Sequence, residues 1–408
     1  MPIFFLTYFI LFIYDCRNVW GGAKCLSLHR GALNDDDPYL RSVILQQWLF
    51  GYELPDTIMI LSQDGNLHVC ATKKKCEFLQ PAVDQEDKDF KIHLLLRNKE
   101  DGNAENYETL LKLVVGEEGG KVGVILKERE SNKESGGILA PWETKLDEAT
   151  SDNVELIDCS PAVAILMAPK DDSEWDLMKK SSVLSNKVMK HGCVKRLEEI
   201  IEEESKITHE ALATEIEEVL EDPNKIKLNV PPSDVQSCYF PIVQSGGNYD
   251  IKVSAQSTGD PLKHDVVTVS LGARYKLYCS NIARTFFIDP PKKVSETYEI
   301  LLEMQEVCLE AMRPGNQLKA VHKAAVAYLQ KNGHEDLIAK LPKTLGFCQG
   351  LDFRDSSLTL SAKNGVTFKQ GMVFCLAVGF SGLELAEKDR ENTPSNSAVR
   401  SVIHHGEY

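Results

Sequence analysis

Many side chains in this 408-residue chain could do chemistry, but few fall into the spacing that chemistry requires. Eleven cysteines sit at irregular intervals with no C-x-x-C pair, and even Cys70 and Cys76 are too far apart for a zinc knuckle. They read as free thiols of a reducing compartment, with Cys279, Cys308, Cys348 and Cys375 serving as small core residues. The glycine-rich run Gly116–Gly120 lacks the Lys-Ser or Lys-Thr ending of a phosphate cradle, so it reads as a loop. His264 is the only histidine of the central extended runs, and no G-x-S-x-G elbow supplies a nucleophile beside it. His322 reads as a satisfied or surface histidine of its helix. The remaining possibility is a metal centre carried on strands.

Such a centre needs a rigid platform, and the stretch His264–Asp289 offers one. Val266–Leu271 is a β-branched apolar run, Gly272–Tyr275 reads as a turn, and Tyr278–Ile288 returns as a second extended run. Hydrolases that use a cation pair present carboxylates from adjacent strands of this kind, because metals about 3.5–4 Å apart need anionic oxygens to bridge them. Here the inward positions carry no carboxylate.

The residues of that hairpin resemble a known family. V-S-L-G (Val269–Gly272) followed by N-I-A-R-T-F (Asn281–Phe286) is similar to the D-x-G and D-x-x-R-T motifs of the pita-bread aminopeptidases. The resemblance puts Ser270 and Asn281 where that family has its first two metal-binding aspartates, and it retains Arg284 and Thr285. Gly346–Asp355, GFCQGLDFRD, resembles the G-H-G-I-G segment and the H-E beyond it, which places Phe347 at the metal histidine and Asp355 at a metal glutamate. Gly371–Gly379, GMVFCLAVG, resembles G-M-V-F-T-I-E-P-G and places Ala377 at the last glutamate. The family's substrate-side histidine falls near Val253. One carboxylate is left at five ligand positions.

Electrostatics gives that loss its meaning. Two divalent cations about 3.5 Å apart repel by on the order of 20 kcal/mol even at an effective dielectric of 20, and the hydrolases offset this with four carboxylates. A single aspartate cannot, and the ring of Phe347 has no donor atom. The expectation is the fold without metal, cofactor or hydrolysis.

A second pair of motifs narrows the resemblance. Gln46 and the run Trp48–Thr57, WLFGYELPDT, together with Gln244–Asp250, QSGGNYD, are similar to the N-terminal, peptidase-like domain of the large subunit of the FACT histone chaperone, over roughly 35–385. The resemblance implies a nuclear, chromatin-associated, non-catalytic histone-binding module for nucleosome reorganisation in transcription, replication and repair. Core histones, H3 and H4 first, are the implied partners. Dimerisation with the HMG-box partner subunit uses parts missing from this chain, which reads as a fragment or partial gene model. The expected binding surface is the old catalytic cleft around Ser270, Asn281, Arg354 and Asp355, with the acidic helices as the alternative. Two other readings stay open: an active aminopeptidase with an unusual site built on Asp355 and Asp352, and a structural interaction domain with no ligand of its own.

Composition agrees with a globular acidic protein. With 43% hydrophobic residues the chain can bury large cores, and its net charge of −15 argues against sequence-specific DNA binding driven by phosphate contacts. The apolar run Ile3–Tyr14 is too short to span a bilayer and lacks a basic leader, so no membrane role is expected.

The fold class expected is α/β (α+β), divided into an atypical apolar N-terminus (1–34), a smaller α/β lobe (35–170), a pita-bread lobe (171–390) and a polar, patternless tail (391–408). In the first lobe a helix capped by Asn34–Asp37 runs to Phe50 and stops at Gly51. Strands follow over Thr57–Leu61, Leu67–Ala71, Ile92–Leu96 and Val122–Leu126, with a helix over Ala104–Val114 and polar loops at Lys73–Lys75 and Ser131–Gly137. In the second lobe Asp172 or Ser173 caps a helix beginning at Glu174. Two amphipathic helices follow, with acidic outer faces of Glu198–Glu204 and Glu215–Glu221. Further helices are expected after Ser295 and over Leu318–Gln330.

Overall fold

A computed structural model of the chain describes residues 20–31, 38–84, 91–116, 120–150, 154–247, 249, 250, 252, 254–288, 290–384 and 396–406. The apolar run Ile3–Tyr14, the expected cap at Asn34–Asp37 and Val253 lie outside the described residues. The chain divides into two compact units, one ending at Met167 and the other beginning at Ala168.

The first unit is a six-stranded mixed sheet. Its strands are β1 (Ala23–Arg30), β2 (Thr57–Ser62), β3 (Asn66–Ala71), β4 (Lys91–Leu96), β5 (Gly120–Val124) and β6 (Val154–Asp158), in the order β4-β3-β2-β1-β5-β6. The helices are α1 (Arg41–Phe50), α2 (Lys73–Val83), α3 (Ala104–Val115), α4 (Arg129–Glu134), α5 (Leu139–Thr150) and α6 (Ser160–Met167). Alternation explains the strands: Ile58, Ile60, Cys70, Val122 and Val124 form one core with Tyr107 and Leu110 of α3 and Trp142 and Leu146 of α5.

Several expectations need correction here. β1 is a central strand, although its residues fell within a stretch read as an atypical N-terminus; its register with β2 buries Leu26 and Leu28. Helix α1 begins at Arg41; its N-cap residue, Leu40, has no capping side chain, and Glu128 Oε1 accepts from Ser42 N at 3.2 Å in its first turn. Lys73–Lys75 opens α2, because Lys75 Nζ donates to the Pro55 carbonyl and anchors the first turn. Ser131–Glu134 lies in α4, and β5 ends at Val124 because Leu126–Glu128 is a 3-10 turn.

The WLFGYELPDT run is used for closure. Gly51 ends α1 in the left-handed region (φ 72°), and the buried Gln46 side chain accepts from Leu54 N at 2.7 Å. Arg30 pairs with Glu53 at 2.7 Å and Arg97 with Asp56 at 3.3 Å, which brings the chain back into β2.

The second unit opens with α7 (Asp172–Val188), and its cap is Asp171 in place of Asp172 or Ser173. Asp171 accepts from Glu174 N at 2.7 Å while Glu174 accepts from Asp171 N at 3.0 Å, a reciprocal capping box. A π-helical turn, Met189–Val194, leads into α8 (Lys195–Glu202) and then α9 (His209–Glu221). Leu197, Ile200, Leu212, Ile216 and Leu220 pack on Val267, Val269 and Leu271, so the acidic residues of these helices face outward.

Two antiparallel sheets follow, built from β7 (Val235–Ser237), β8 (Ile242–Gln244), β9 (Val266–Leu271), β10 (Ala273–Tyr275), β11 (Tyr278–Cys279), β12 (Ile282–Phe287), β13 (Thr344–Cys348), β14 (Thr359–Ser361), β15 (Val373–Glu384) and β16 (Asn396–Gly406). The orders are β11-β10-β7 and β14-β13-β15-β16-β12-β9-β8. Helices α10 (Lys292–Ala311) and α11 (Lys319–Lys331) complete the unit; α10 starts after Pro291 and not at a Ser295 cap.

The expected hairpin is present, with Val266–Leu271 laddered against Ile282–Phe287. Its turn is displaced. Ala273–Tyr275 is itself a strand between β7 and β11, and the reversal falls on Lys276 and Leu277, both at positive φ. The expected tail is also corrected. Asn396–Gly406 is a strand laddered along β15 and touching β12 at Val402, so long-range pairing organises a segment with no local signal.

Candidate functional site

The site is built across the large sheet, where β13 and β15 lie on one side of β16 and β12 and β9 on the other, and the loop before β8 closes over it. Ser270 is the last residue but one of β9, Asn281 precedes β12, Phe347 lies in β13, Ala377 in β15, and Asp355 in the turn after β13. The sheet therefore gathers residues separated by more than a hundred positions, and Ser270, Asn281, Phe347 and Asp355 are all buried.

Tyr239, a residue that no motif pointed to, decides what the gathered residues do. Its hydroxyl is 2.6 Å from Ser270 Oγ and donates to Asn281 Oδ1 at 2.5 Å. With the phenol proton directed at Asn281, Ser270 donates to the phenol oxygen. Asn281 Nδ2 in turn donates to Cys375 Sγ at 3.5 Å. The polar atoms that would face cations thus satisfy one another.

Aromatic rings fill the remaining space. Tyr239 lies 4.9 Å from Phe353 between ring centroids, and Phe353 lies 5.7 Å from Phe347. Gly272 makes room for Tyr239: a β-carbon there would stand 3.0 Å from Tyr239 Cε1 and 2.7 Å from the Ser280 carbonyl.

The surviving carboxylate is committed elsewhere. Asp355 Oδ1 accepts from Ser357 N at 2.8 Å and from Leu358 N at 3.2 Å, pinning the turn into β14. Asp352 Oδ1 similarly accepts from Arg354 N at 3.0 Å. The donor set therefore does not fit a pair of divalent cations. Two neutral side chains bonded to a phenol, a phenyl ring, a methyl group and a turn-capping carboxylate supply neither the charge nor the free oxygens. Among the described residues, no group of three or more His, Cys, Asp or Glu side chains is placed to hold a metal ion.

The retained Arg284 and Thr285 serve the sheet. Thr285 pairs with Thr268 across β9 and β12, and Arg284 Nη1 donates to the Ala283 carbonyl at 2.8 Å. Burial holds the Arg284 guanidinium below its usual range, partly opposed by Tyr298. QSGGNYD is likewise architectural at its ends: Gln244 Oε1 accepts from Asp250 N at 3.1 Å and Tyr249 Oη donates to the Val266 carbonyl at 2.5 Å.

Of the four residues expected to bind a partner, Ser270, Asn281 and Asp355 are buried, and Arg354 is exposed. Arg354 stands on the rim of an open cleft of about 770 Å³, its guanidinium carbon 5.6 Å above the Phe347 ring. Thr344, Phe347, Ala377 and Ser381 also line this cleft. His322 is half-buried on α11, and burial lowers its pKa.

Comparison with known proteins agrees with this geometry. The sequence profile of metallopeptidase family M24 matches residues 176–401, and that of the FACT complex subunit SPT16 N-terminal lobe domain matches residues 13–162. FACT complex subunit SPT16 of Oryza sativa subsp. japonica is 37% identical over 392 residues, and that of Arabidopsis thaliana is 34% identical over 395. Each match covers 94% of this chain and 36% of the relative, so the chain spans about a third of the length of these relatives.

Among solved structures, the N-terminal domain of FACT complex subunit SPT16 from chickpea superposes with a TM-score of 0.87 at 33% identity, covering 98% of this chain and 93% of that one. A dipeptidase from Pyrococcus horikoshii superposes with a TM-score of 0.67 at 19% identity over 97% of this chain and 94% of that one, a likeness of fold alone. The lobe that holds Tyr239 thus has the pita-bread fold of prolidase-like enzymes, and the chain belongs to metallopeptidase family M24 in the form that makes up the N-terminal domain of FACT complex subunit SPT16.

Proposed function

We propose that this chain is a non-catalytic histone-binding module of a FACT-type histone chaperone, acting on nucleosomes in the nucleus during transcription, replication and repair. The site supports a non-catalytic reading: a phenol hydrogen-bonds Ser270 and Asn281, and Asp355 caps a turn. The HMG-box partner subunit is engaged through regions beyond these residues.

One observation carries the binding reading, the acidic face of α8 and α9. Glu198, Glu202, Glu210 and Glu221 are exposed there, as are Glu203 and Glu204 in the turn just after α8, and among the described residues no cation pairs with them. Arg196 and Lys225 neutralise only Glu199, Glu215 and Glu218 of the same face. A concentration of uncompensated carboxylates on a packed platform attracts a basic protein and speeds its encounter. Histones H3 and H4 are such proteins.

Titration of an H3–H4 tetramer into the purified chain at several salt concentrations tests this. The expected result is saturable binding that weakens with salt and falls roughly tenfold when Glu198, Glu202, Glu203 and Glu204 become Gln, four exposed charges at about 0.4 kcal/mol each. Binding no stronger than to an equally acidic control protein would sink the proposal.

A further inference from the structure

The cleft over the former metal centre has the opposite charge from the helices. Lys252, Lys343 and Arg354 line it, against Asp250 as the one carboxylate among the described lining residues. Lys252 Nζ and Asp250 lie 3.6 Å apart and compensate each other. Lys343 and Arg354 are exposed and, among the described residues, have no carboxylate within ion-pair distance. Two uncompensated cations on one rim are an unusual concentration in a chain of net charge −15.

We infer that this cleft is a binding site for a short acidic peptide segment, held by Lys343 and Arg354. Arg354 lies over the face of Phe347, which orients its planar fork, and such a fork matches a carboxylate in a bidentate pair. The neutral floor of Phe347, Ala377 and Val378 has no anion to repel the ligand. A volume of about 770 Å³ is within the range of sites that enclose a small ligand and suits a few residues of extended chain. A free peptide N-terminus is disfavoured because its ammonium would face the same two cations. Nucleic acid is disfavoured as well: it needs a track of cations along its phosphates, whereas these are confined to one cleft on an acidic molecule.

This inference does not depend on histone binding, which the acidic helices carry, so the two can fail separately. Fluorescence anisotropy of a labelled octaglutamate peptide against the whole chain tests it, alongside a glutamine peptide and a single-stranded oligonucleotide of equal length. The expected result is salt-sensitive binding of the glutamate peptide alone, reduced at least about tenfold by Lys343→Glu with Arg354→Glu, while H3–H4 affinity is unchanged. Lys343→Gln with Arg354→Gln removes charge without reversing it and gives the same reading should the double reversal fail to fold. Equal binding of the glutamine peptide, preference for the oligonucleotide, no binding at all, or indifference to both double variants would overturn the assignment.

Discussion

Replacing Tyr239 with Phe removes one oxygen from the site and leaves the ring that packs on Phe353. Two buried groups then lose a partner: Ser270, 3% exposed, and Asn281, 1% exposed. The hydroxyl of Ser270 can rotate to another acceptor, so most of the penalty falls on the Asn281 carbonyl, which has no such freedom. A buried acceptor left unsatisfied costs about 1–3 kcal/mol, and a loss of about 2 kcal/mol is expected here. Because the chain has two compact units, a single global unfolding curve mixes them. Native-state hydrogen exchange over residues 266–287 reads the relevant strands directly. At 2 kcal/mol, exchange there should quicken roughly thirtyfold. Repeating the substitution with Ser270→Ala and Asn281→Leu already in place should abolish the effect, since the partners are gone; this coupling isolates the hydroxyl's role. A change under about threefold in the single variant, or one of equal size in the triple variant, would refute the claim that Tyr239 satisfies Ser270 and Asn281.

Other consequences are measurable. Calorimetric titration with manganese, cobalt or zinc should show no saturable two-site binding, and peptides should remain uncleaved; stoichiometric uptake with turnover would restore the enzyme reading. Gly272→Ala brings a β-carbon against the Ser280 carbonyl and the Tyr239 ring, so exchange over the same strands should rise by the equivalent of about 1–3 kcal/mol. In the first unit, Glu143 is fully buried and bonded to His29 and to Arg129 Nε at 2.7 Å. Glu143→Gln should cost about 1–3 kcal/mol, because it removes the buried charge paired with Arg129 Nε and one acceptor facing His29 while Arg129 keeps Asp147 at 2.7 Å, seen as loss of exchange protection in β1 and α5. Burial alone would raise the Glu143 pKa, but the His29 hydrogen bond and the charges of His29 and Arg129 outweigh it and hold the carboxyl low. Its stabilisation should therefore be complete above the unfolded value of about 4.3 and lost as pH falls through the lower folded value; a first unit indifferent to acid over that range would contradict this.

The sequence alone determined what depends on neighbours a few residues away. The β-branched apolar run Val266–Leu271 and the extended run that returns through Phe287 mark two buried strands, and Gly51 stops a helix because it takes the left-handed conformation cheaply. The apolar stripes of α8 and α9 put their glutamates outside. Residue identity alone also shows that Ser270, Asn281, Phe347 and Ala377 carry neither a carboxylate nor an imidazole. Segments whose structure comes from distant partners carry no such local signal. Asn396–Gly406 is a strand only because β15 offers a ladder along its length, and β1 is central only because β2 and β5 flank it.

Tyr239 is the sharpest case, since nothing in C-Y-F-P announces a phenol that will meet Ser270 and Asn281 across the sheet. Likewise only the folded chain puts Lys343 and Arg354 on one rim while turning Asp355 inward to cap its own turn. Periodicity and turn preference act over a few residues and can be read from the sequence. Which polar groups satisfy one another in a buried site is set by packing among segments far apart in the chain, and that only the tertiary structure decides.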